Sequence, residues 1–271
     1  MTEPAIVGRT QGGLAYEIAG AGDAIVLVHA GIADRRMWDP HWAAFAAVGR
    51  VIRYDARGFG ESLPPTGPWS HHGDLLELLD ELGVARARLV GASMGAGIAA
   101  EAAIARPKAV TALLLAAPGG ALLGEPSTSL RAVWHEEVTA LDRGDLDEAV
   151  EVNLRAWLAG PTRSVEDVDP AVRELVRRMQ RDAFELPEWD QDVAPETELT
   201  PPAAARLAEI ACPTLVLVGE LDQQATLDAA QRLANEVPDV RLEAWPDVAH
   251  LPSLERPGDF ETLALAFFGL R

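Results

Sequence analysis

Gly91-Ala92-Ser93-Met94-Gly95 lies between an apolar run and a helical pattern, a place where a serine could become a nucleophile. For that chemistry the hydroxyl must be lifted clear of a sheet on a tight turn. Small residues such as Gly91, Ala92, Gly95 and Gly97 let strand and helix close behind it. A glycine-rich turn with an incidental serine would read the same way, so the partners decide. A serine hydroxyl needs a base near neutral pH, and the base needs an acid to orient it. Where a serine is presented on such a turn, the chain order is Ser, then Asp or Glu, then His. Gly219-Glu220-Leu221-Asp222 follows one late apolar run, and Val248-Ala249-His250-Leu251 follows the last one. His250 is the expected base. His41 falls inside a helix, His71 and His72 open another, and His135 lies in a helical block, so each is a weaker base. Three carboxylates could serve as the acid. Asp247 is three residues before His250 and suited to bonding local backbone. Glu220 follows Gly219 directly and has the longer, looser side chain, whereas the short side chain of Asp222 can be locked by its loop.

Attack on an acyl carbon creates an oxyanion, which requires preorganised N–H donors. Met94, at the start of its helix, offers one. The loop His29-Ala30-Gly31-Ile32 offers the other, assigned to Gly31 because small residues there let the backbone approach a substrate. His29 itself is expected to bond loop backbone and to take no part in catalysis.

These residues need a scaffold that brings distant loops to one rim. Leu14–Ala19, Ala24–His29, Val51–Tyr54, Leu89–Gly91 and Val110–Ala116 read as strands, with helical stretches at Trp38–Ala47, Gly73–Leu82 and Met94–Ala105. Continuous apolar runs alternating with helices signify a mostly parallel sheet. From about residue 121 to 205 the strand-like runs vanish and helical patterns broken by Gly160-Pro161, Asp169-Pro170 and Pro201-Pro202 take over. Alternation resumes with strands at Thr214–Val218 and Val240–Trp245 and helices at Gln224–Glu236 and from about Pro252 to Phe268. The expected organisation is a core of residues 1–120 and 206–271 with a helical cap, 121–205, inserted between. Trp134, Trp157 and Trp189 are expected in the interior of that cap rather than on a pocket wall.

The chain of 271 residues is 48% apolar and 24% charged, with a formal net charge of −19. The block 121–205 carries 8 Arg and 19 Asp or Glu, and so −11 of that charge. An acidic chain with pI near 4.6 is repelled by phosphate backbones, so nucleic acid is not an expected partner. The single cysteine, Cys212, excludes an internal disulfide framework and a thiolate zinc site. The opening MTEPAIVGRTQGG lacks a basic n-region and an apolar h-region, so no secretory signal is expected. No apolar run approaches the roughly 18 residues that span a bilayer. A cytoplasmic protein acting on a small molecule, with no membrane partner, is the expectation.

The segments VLVHAGIADRRMW, RYDARGFGES, LVGASMGAG, LVGELD and VAHLPSLERP together resemble the α/β-hydrolase superfamily, in its capped esterase, enol-lactonase and cofactor-free haloperoxidase branch. The resemblance spans nearly the whole chain outside the cap. It implies an α/β-hydrolase fold, a mostly parallel sheet flanked by helices with an inserted helical cap. It also implies Ser93, Asp222 and His250 as a triad, Gly31 and Met94 as oxyanion donors, and no cofactor or metal. The loop Arg57-Gly58-Phe59-Gly60-Glu61-Ser62 matches a family loop of structural role, and Ala30 stands where the family usually has glycine. Ser93 replaces the aspartate nucleophile of epoxide hydrolases and haloalkane dehalogenases. Leu251 stands where carbon–carbon-bond hydrolases of ring-cleavage products carry tryptophan. Enol-lactonases need a cation for the substrate carboxylate, and Arg35 and Arg36 are the nearest candidates. The implied activity is hydrolysis of a carboxylic ester or lactone through an acyl-enzyme. Carbon–carbon hydrolysis, perhydrolysis or a non-hydrolytic receptor or biosynthetic role are the alternatives.

Overall fold

A computed structural model describes residues 5–187, 189 and 193–270. In chain order the strands are β1 (Ile6–Arg9), β2 (Ala15–Ala19), β3 (Ala24–Val28), β4 (Arg50–Tyr54), β5 (Ala87–Ala92), β6 (Val110–Ala116), β7 (Thr214–Gly219) and β8 (Val240–Trp245). They form one sheet in the order β1-β2-β4-β3-β5-β6-β7-β8. β1 and β2 run antiparallel at one edge, and every pairing from β4 to β8 is parallel. The interior strands lack polar alternation because both faces are covered. Along β3, Val26 and Val28 face a layer with Leu75, Ala99 and Leu233. Ile25 and Leu27 face the opposite layer, with Phe45, Trp38 and Phe260. β1 escapes the sequence reading because Ile6 and Val7 are exposed on an edge strand, where no burial pattern marks them.

The helices are α1 (Trp42–Val48), α2 (His71–Glu81), α3 (Met94–Ala105), α4 (Thr128–Asp142), α5 (Leu146–Asn153), α6 (Pro170–Phe184), α7 (Gln224–Glu236), α8 (Pro252–Glu255) and α9 (Pro257–Phe267). The stretch expected as one helix over Trp38–Ala47 is a 3₁₀ turn, Arg35–His41, leading into α1. The expected final helix is two, because Pro257 forces Arg256 out of helical geometry. α2 begins two residues before the expected Gly73 because the Ser70 hydroxyl caps it by accepting from the Gly73 N–H at 3.1 Å.

Between β6 and β7 the chain forms α4, α5, a π turn over Leu154–Ala159 and α6. The apolar side of α6, with Val176 and Met179, joins Leu154, Leu158 and Val165 in the same cluster that covers one face of the sheet. This block therefore sits on the core through continuous apolar packing. Among the described residues no helix is long and apolar enough to cross a membrane.

Parallel register decides where the loops emerge. Val28 pairs with Gly91, Ala116 with Leu217 and Gly219 with Trp245, so the carboxyl ends of β3, β5, β6, β7 and β8 share one rim. The loop after β4 braces that rim. Asp55 accepts from the Arg35 and Glu61 backbone N–H groups, both at 2.9 Å, and the Ser62 hydroxyl accepts from the Ala15 N–H at 2.9 Å. Arg57 donates to Asp74 at 2.6 and 2.8 Å and to the Gly12 and Leu63 carbonyls at 2.9 Å, with both charged side chains buried. Truncating Asp74 to Ala strands a buried guanidinium. The expected loss is about 3–5 kcal/mol of unfolding free energy, measured as a fall in denaturant midpoint.

Candidate active site

Ser93 joins β5 to α3 with φ of 52° and ψ of −115°, a backbone state that costs a non-glycine residue of order 1–3 kcal/mol. The turn closes because its neighbours have no side chains. A Cβ at Gly91 would stand 2.2 Å from the Gly95 carbonyl oxygen, and one at Gly95 only 2.3 Å from that of Val28. The Ser93 carbonyl accepts from the N–H groups of Ala96 (2.9 Å), Gly97 (3.2 Å) and Gly119 (3.2 Å), while its own N–H donates to Ala116 at 2.9 Å. Gly119, after β6, was not singled out from sequence. Its position lies directly behind the Ser93 hydroxyl, where a Cβ would come within 2.8 Å of Oγ.

His250 follows β8, and its Nε2 lies 2.7 Å from the Ser93 Oγ. Its Nδ1 lies 2.8 and 2.9 Å from the two Asp222 carboxylate oxygens. A carboxylate only accepts, so Nδ1 carries the proton and Nε2 is left to accept from the serine hydroxyl. Asp222 also accepts from the Gln223 N–H at 2.6 Å. The loop bearing it is stitched to the histidine loop by the Leu221 N–H donating to the Val248 carbonyl at 3.1 Å. Of the other carboxylates, Glu220 is exposed. Asp247 pairs with Arg256 at 3.1 Å, an ion pair rather than the expected bond to local backbone.

The oxyanion candidates are also neighbours. A Cβ on Gly31 would lie 3.7 Å from that of Met94, and among the described residues neither backbone N–H donates to another protein group. Ala30 does not have positive φ, so its backbone is not in the region that favours glycine. His29 is structural, as expected. The Ala56 N–H donates to its Nε2 at 2.9 Å, which leaves Nδ1 as the donor to the Ala30 carbonyl at 2.9 Å.

Several supports come from the helical block. The Gln223 amide donates to the Ala156 carbonyl at 2.6 Å, tying the acid loop to the π turn. Arg163 donates to the Ala159 and Leu158 carbonyls and pairs with Glu255 at 2.7 Å, whose carboxylate accepts from the Ala249 N–H at 2.9 Å. The π turn carries Trp157, whose ring centroid is 4.6 Å from that of His250. Trp157 is partly buried against the core cluster, as expected of an interior residue, and its ring also stands beside the imidazole. Trp134 is exposed, and Trp189 packs edge-on against Trp69 at 5.4 Å. The hydrophobicity of these residues suggested burial, but their direction depends on how the block docks.

Arg35 and Arg36 are not free cations. Arg35 pairs with Glu17 at 3.0 Å, with Glu61 at 2.6 Å and with Asp55, while Arg36 pairs with Asp34 and Asp182 at 2.5 and 2.6 Å. Burial pushes the Cys212 thiol up to about 11, which keeps it protonated and inert near neutral pH.

Gly160 closes the π turn with φ of 77°, and a Cβ there would stand 2.1 Å from the Leu221 carbonyl oxygen. Gly160→Ala should cost more than about 1 kcal/mol of stability. It should also displace the Asp222 loop. The check is a lowered thermal midpoint together with slower labelling of Ser93 by a fluorophosphonate in the fraction that remains folded.

The sequence profile described as the alpha/beta hydrolase family matches residues 25–263. A Mycobacterium tuberculosis protein with the provisional name non-heme bromoperoxidase BpoC is 31% identical over 265 residues, covering 94% of this chain and 97% of that relative. A 2-hydroxy-6-oxo-6-phenylhexa-2,4-dienoate hydrolase of Comamonas testosteroni is 27% identical over 274 residues, covering 94% and 91%. Among solved structures, the enol-lactonase of Burkholderia xenovorans LB400 superposes with a TM-score of 0.77 at 25% identity, covering 97% of this chain and all of that one. The chain described here belongs to the α/β-hydrolase family.

Proposed function

We propose that this protein hydrolyses carboxylic esters or lactones through an acyl-enzyme, with Ser93 as nucleophile. The observation that carries this reading is the unbroken relay from the Ser93 hydroxyl to His250 Nε2 at 2.7 Å and from Nδ1 to Asp222 at 2.8 Å. As Ser93 Oγ attacks the carbonyl carbon, His250 Nε2 takes its proton, and Asp222 stabilises the imidazolium that forms. The oxyanion is received by the N–H groups of Met94 and Gly31. Collapse of the tetrahedral intermediate breaks the ester C–O bond, and the imidazolium returns the proton to the departing alkoxide. Water, deprotonated by the same nitrogen, then releases the acid and restores Ser93. The block 121–205 acts as a cap, with Trp157 closing one side of the imidazole.

Relatives with other chemistry are less well matched. A carbon–carbon hydrolase would follow the Comamonas protein, but Leu251, after the histidine, is buried in the core cluster and presents no ring to a substrate. Recognition of an enol-lactone carboxylate would need a free cation, and Arg35 and Arg36 are both engaged by carboxylates.

Ser93→Ala should abolish fluorophosphonate labelling and reduce turnover of p-nitrophenyl esters below roughly a thousandth of the unmodified protein. Higher residual turnover would rule Ser93 out as nucleophile. Asp222→Asn, which favours the wrong histidine tautomer, should lower kcat on the order of 10⁴-fold. Glu220→Gln and Asp247→Asn should each cost far less, and a larger loss from Glu220→Gln would move the acid to that residue. Exchange of residues 121–205 for the corresponding block of another family member should alter preference across an ester panel. An unchanged preference would show that the block does not select substrate.

A further inference from the structure

α3 has the sequence MGAGIAAEAAIA, and Glu101 is its single charged residue. The helix is packed on nearly every side, and Glu101 is only 7% exposed. Among the described residues its carboxylate accepts no hydrogen bond, and its one near partner is His72, whose Nδ1 stands 3.7 Å away, has no hydrogen bond of its own and forms an ion pair only when the imidazole is protonated. A buried carboxylate in that state weakens the fold unless a cation compensates it. The carboxylate borders a cavity of about 430 Å³ lined by Met94, Ile98 and Glu101 on one face of α3. The lining also includes Glu196, Glu198 and His71, and neither Arg nor Lys lines the cavity among the described residues. His71 does not supply the missing charge, since burial pushes its imidazole down to about 4, outweighing the nearby Asp74 and Glu101. Burial, then repulsion from Glu101 and Glu198, drives the Glu196 carboxyl above the usual range although it accepts from the His71 N–H at 3.0 Å.

We propose that this cavity receives a cationic group of the substrate, an ammonium or guanidinium, with Glu101 as its counter-charge. The inference rests on the hydrolase reading above and narrows it to esters or lactones bearing a positive charge remote from the carbonyl. Met94 links the two places. Its backbone N–H is the oxyanion candidate beside Ser93, and its residue lines the cavity. Glu101 lies seven residues further along the same helix face, about 10 Å from Met94 at 1.5 Å per residue, which sets the reach of the substrate's arm. Met94 is also unbranched and adaptable, suited to a boundary that a substrate must pass. The charge of −19 favours the approach of cations at long range.

The test pairs p-nitrophenyl esters of equal arm length, one ending in trimethylammonium and the other in the isosteric neutral tert-butyl group. In the unmodified protein kcat/KM should favour the cationic ester by about tenfold or more. The preference should shrink with added salt. In Glu101→Gln the ratio should fall toward one, while in Glu220→Gln, an exposed carboxylate elsewhere, it should persist. Equal kcat/KM for the two esters in the unmodified protein, or a preference that survives Glu101→Gln, overturns the proposal. Calorimetric titration with butyltrimethylammonium supplies a readout independent of turnover. If neither ester reacts, the hydrolase reading fails by itself and the titration decides the cavity. Binding that is lost in Glu101→Gln then supports a cation site, and absence of binding overturns it.

Discussion

A serine with positive φ at the end of a strand is held there only if the strand, the turn and the following helix close on one another without side chains between them. Ser93 meets this condition because Gly91 and Gly95 bring the backbone of α3 against β5 and β3. The strained residue is then locked through its own carbonyl, which accepts from three N–H groups, one of them from Gly119 on the neighbouring loop. Its hydroxyl consequently faces the rim, and the chain that follows starts a helix whose first N–H, that of Met94, donates to no protein group among the described residues. The proposed nucleophile and the proposed oxyanion donor are thus both placed by a single backbone constraint.

The other members of the site are positioned from outside that turn. β7 and β8 are adjacent and in register, so the acid and histidine loops leave the sheet side by side and bond to each other through Leu221 and Val248. The helical block contributes a second set of restraints. Gln223 reaches the π turn, Gly160 lets that turn touch the acid loop, and Arg163 connects the end of the turn to Glu255 and the Ala249 N–H beside His250. A π turn is an uncommon way to end a helix, and here it carries Trp157 to the imidazole. The block therefore braces the loops that carry Asp222 and His250.

Charge is distributed unevenly around this centre. On the β4 side the arginines are consumed by structure. Glu17 accepts from both Arg53 and Arg35, which hold its carboxyl below the usual range although burial alone would raise it. Arg57 is consumed by Asp74 in the same way. On the α3 side, carboxylates gather around a cavity with no arginine or lysine on its wall among the described residues. That asymmetry arises from the pairing of side chains rather than from their number.

Much of this was legible in the sequence, for a local reason. Continuous apolar runs identify strands covered on both faces, and β6, α3, α7 and β8 have the expected bounds because their signals are complete within a few residues. Ser93, His250 and Asp222 were legible because each follows a strand in a parallel sheet, so chain order alone sends all three to one rim. The sequence could not show β1, whose edge residues are exposed, or the split of the last helix at Pro257. It favoured Asp222 among three carboxylates as the candidate acid, and the fold adds that Asp222 meets His250 while Glu220 is exposed and Asp247 pairs with Arg256. The direction of Trp157, the engagement of Arg35 and Arg36, and the burial of Glu101 without a hydrogen bond are likewise tertiary facts. A side chain's type fixes what it can do, but its partners lie tens or hundreds of residues away, and only the docking of the helical block on the sheet selects them.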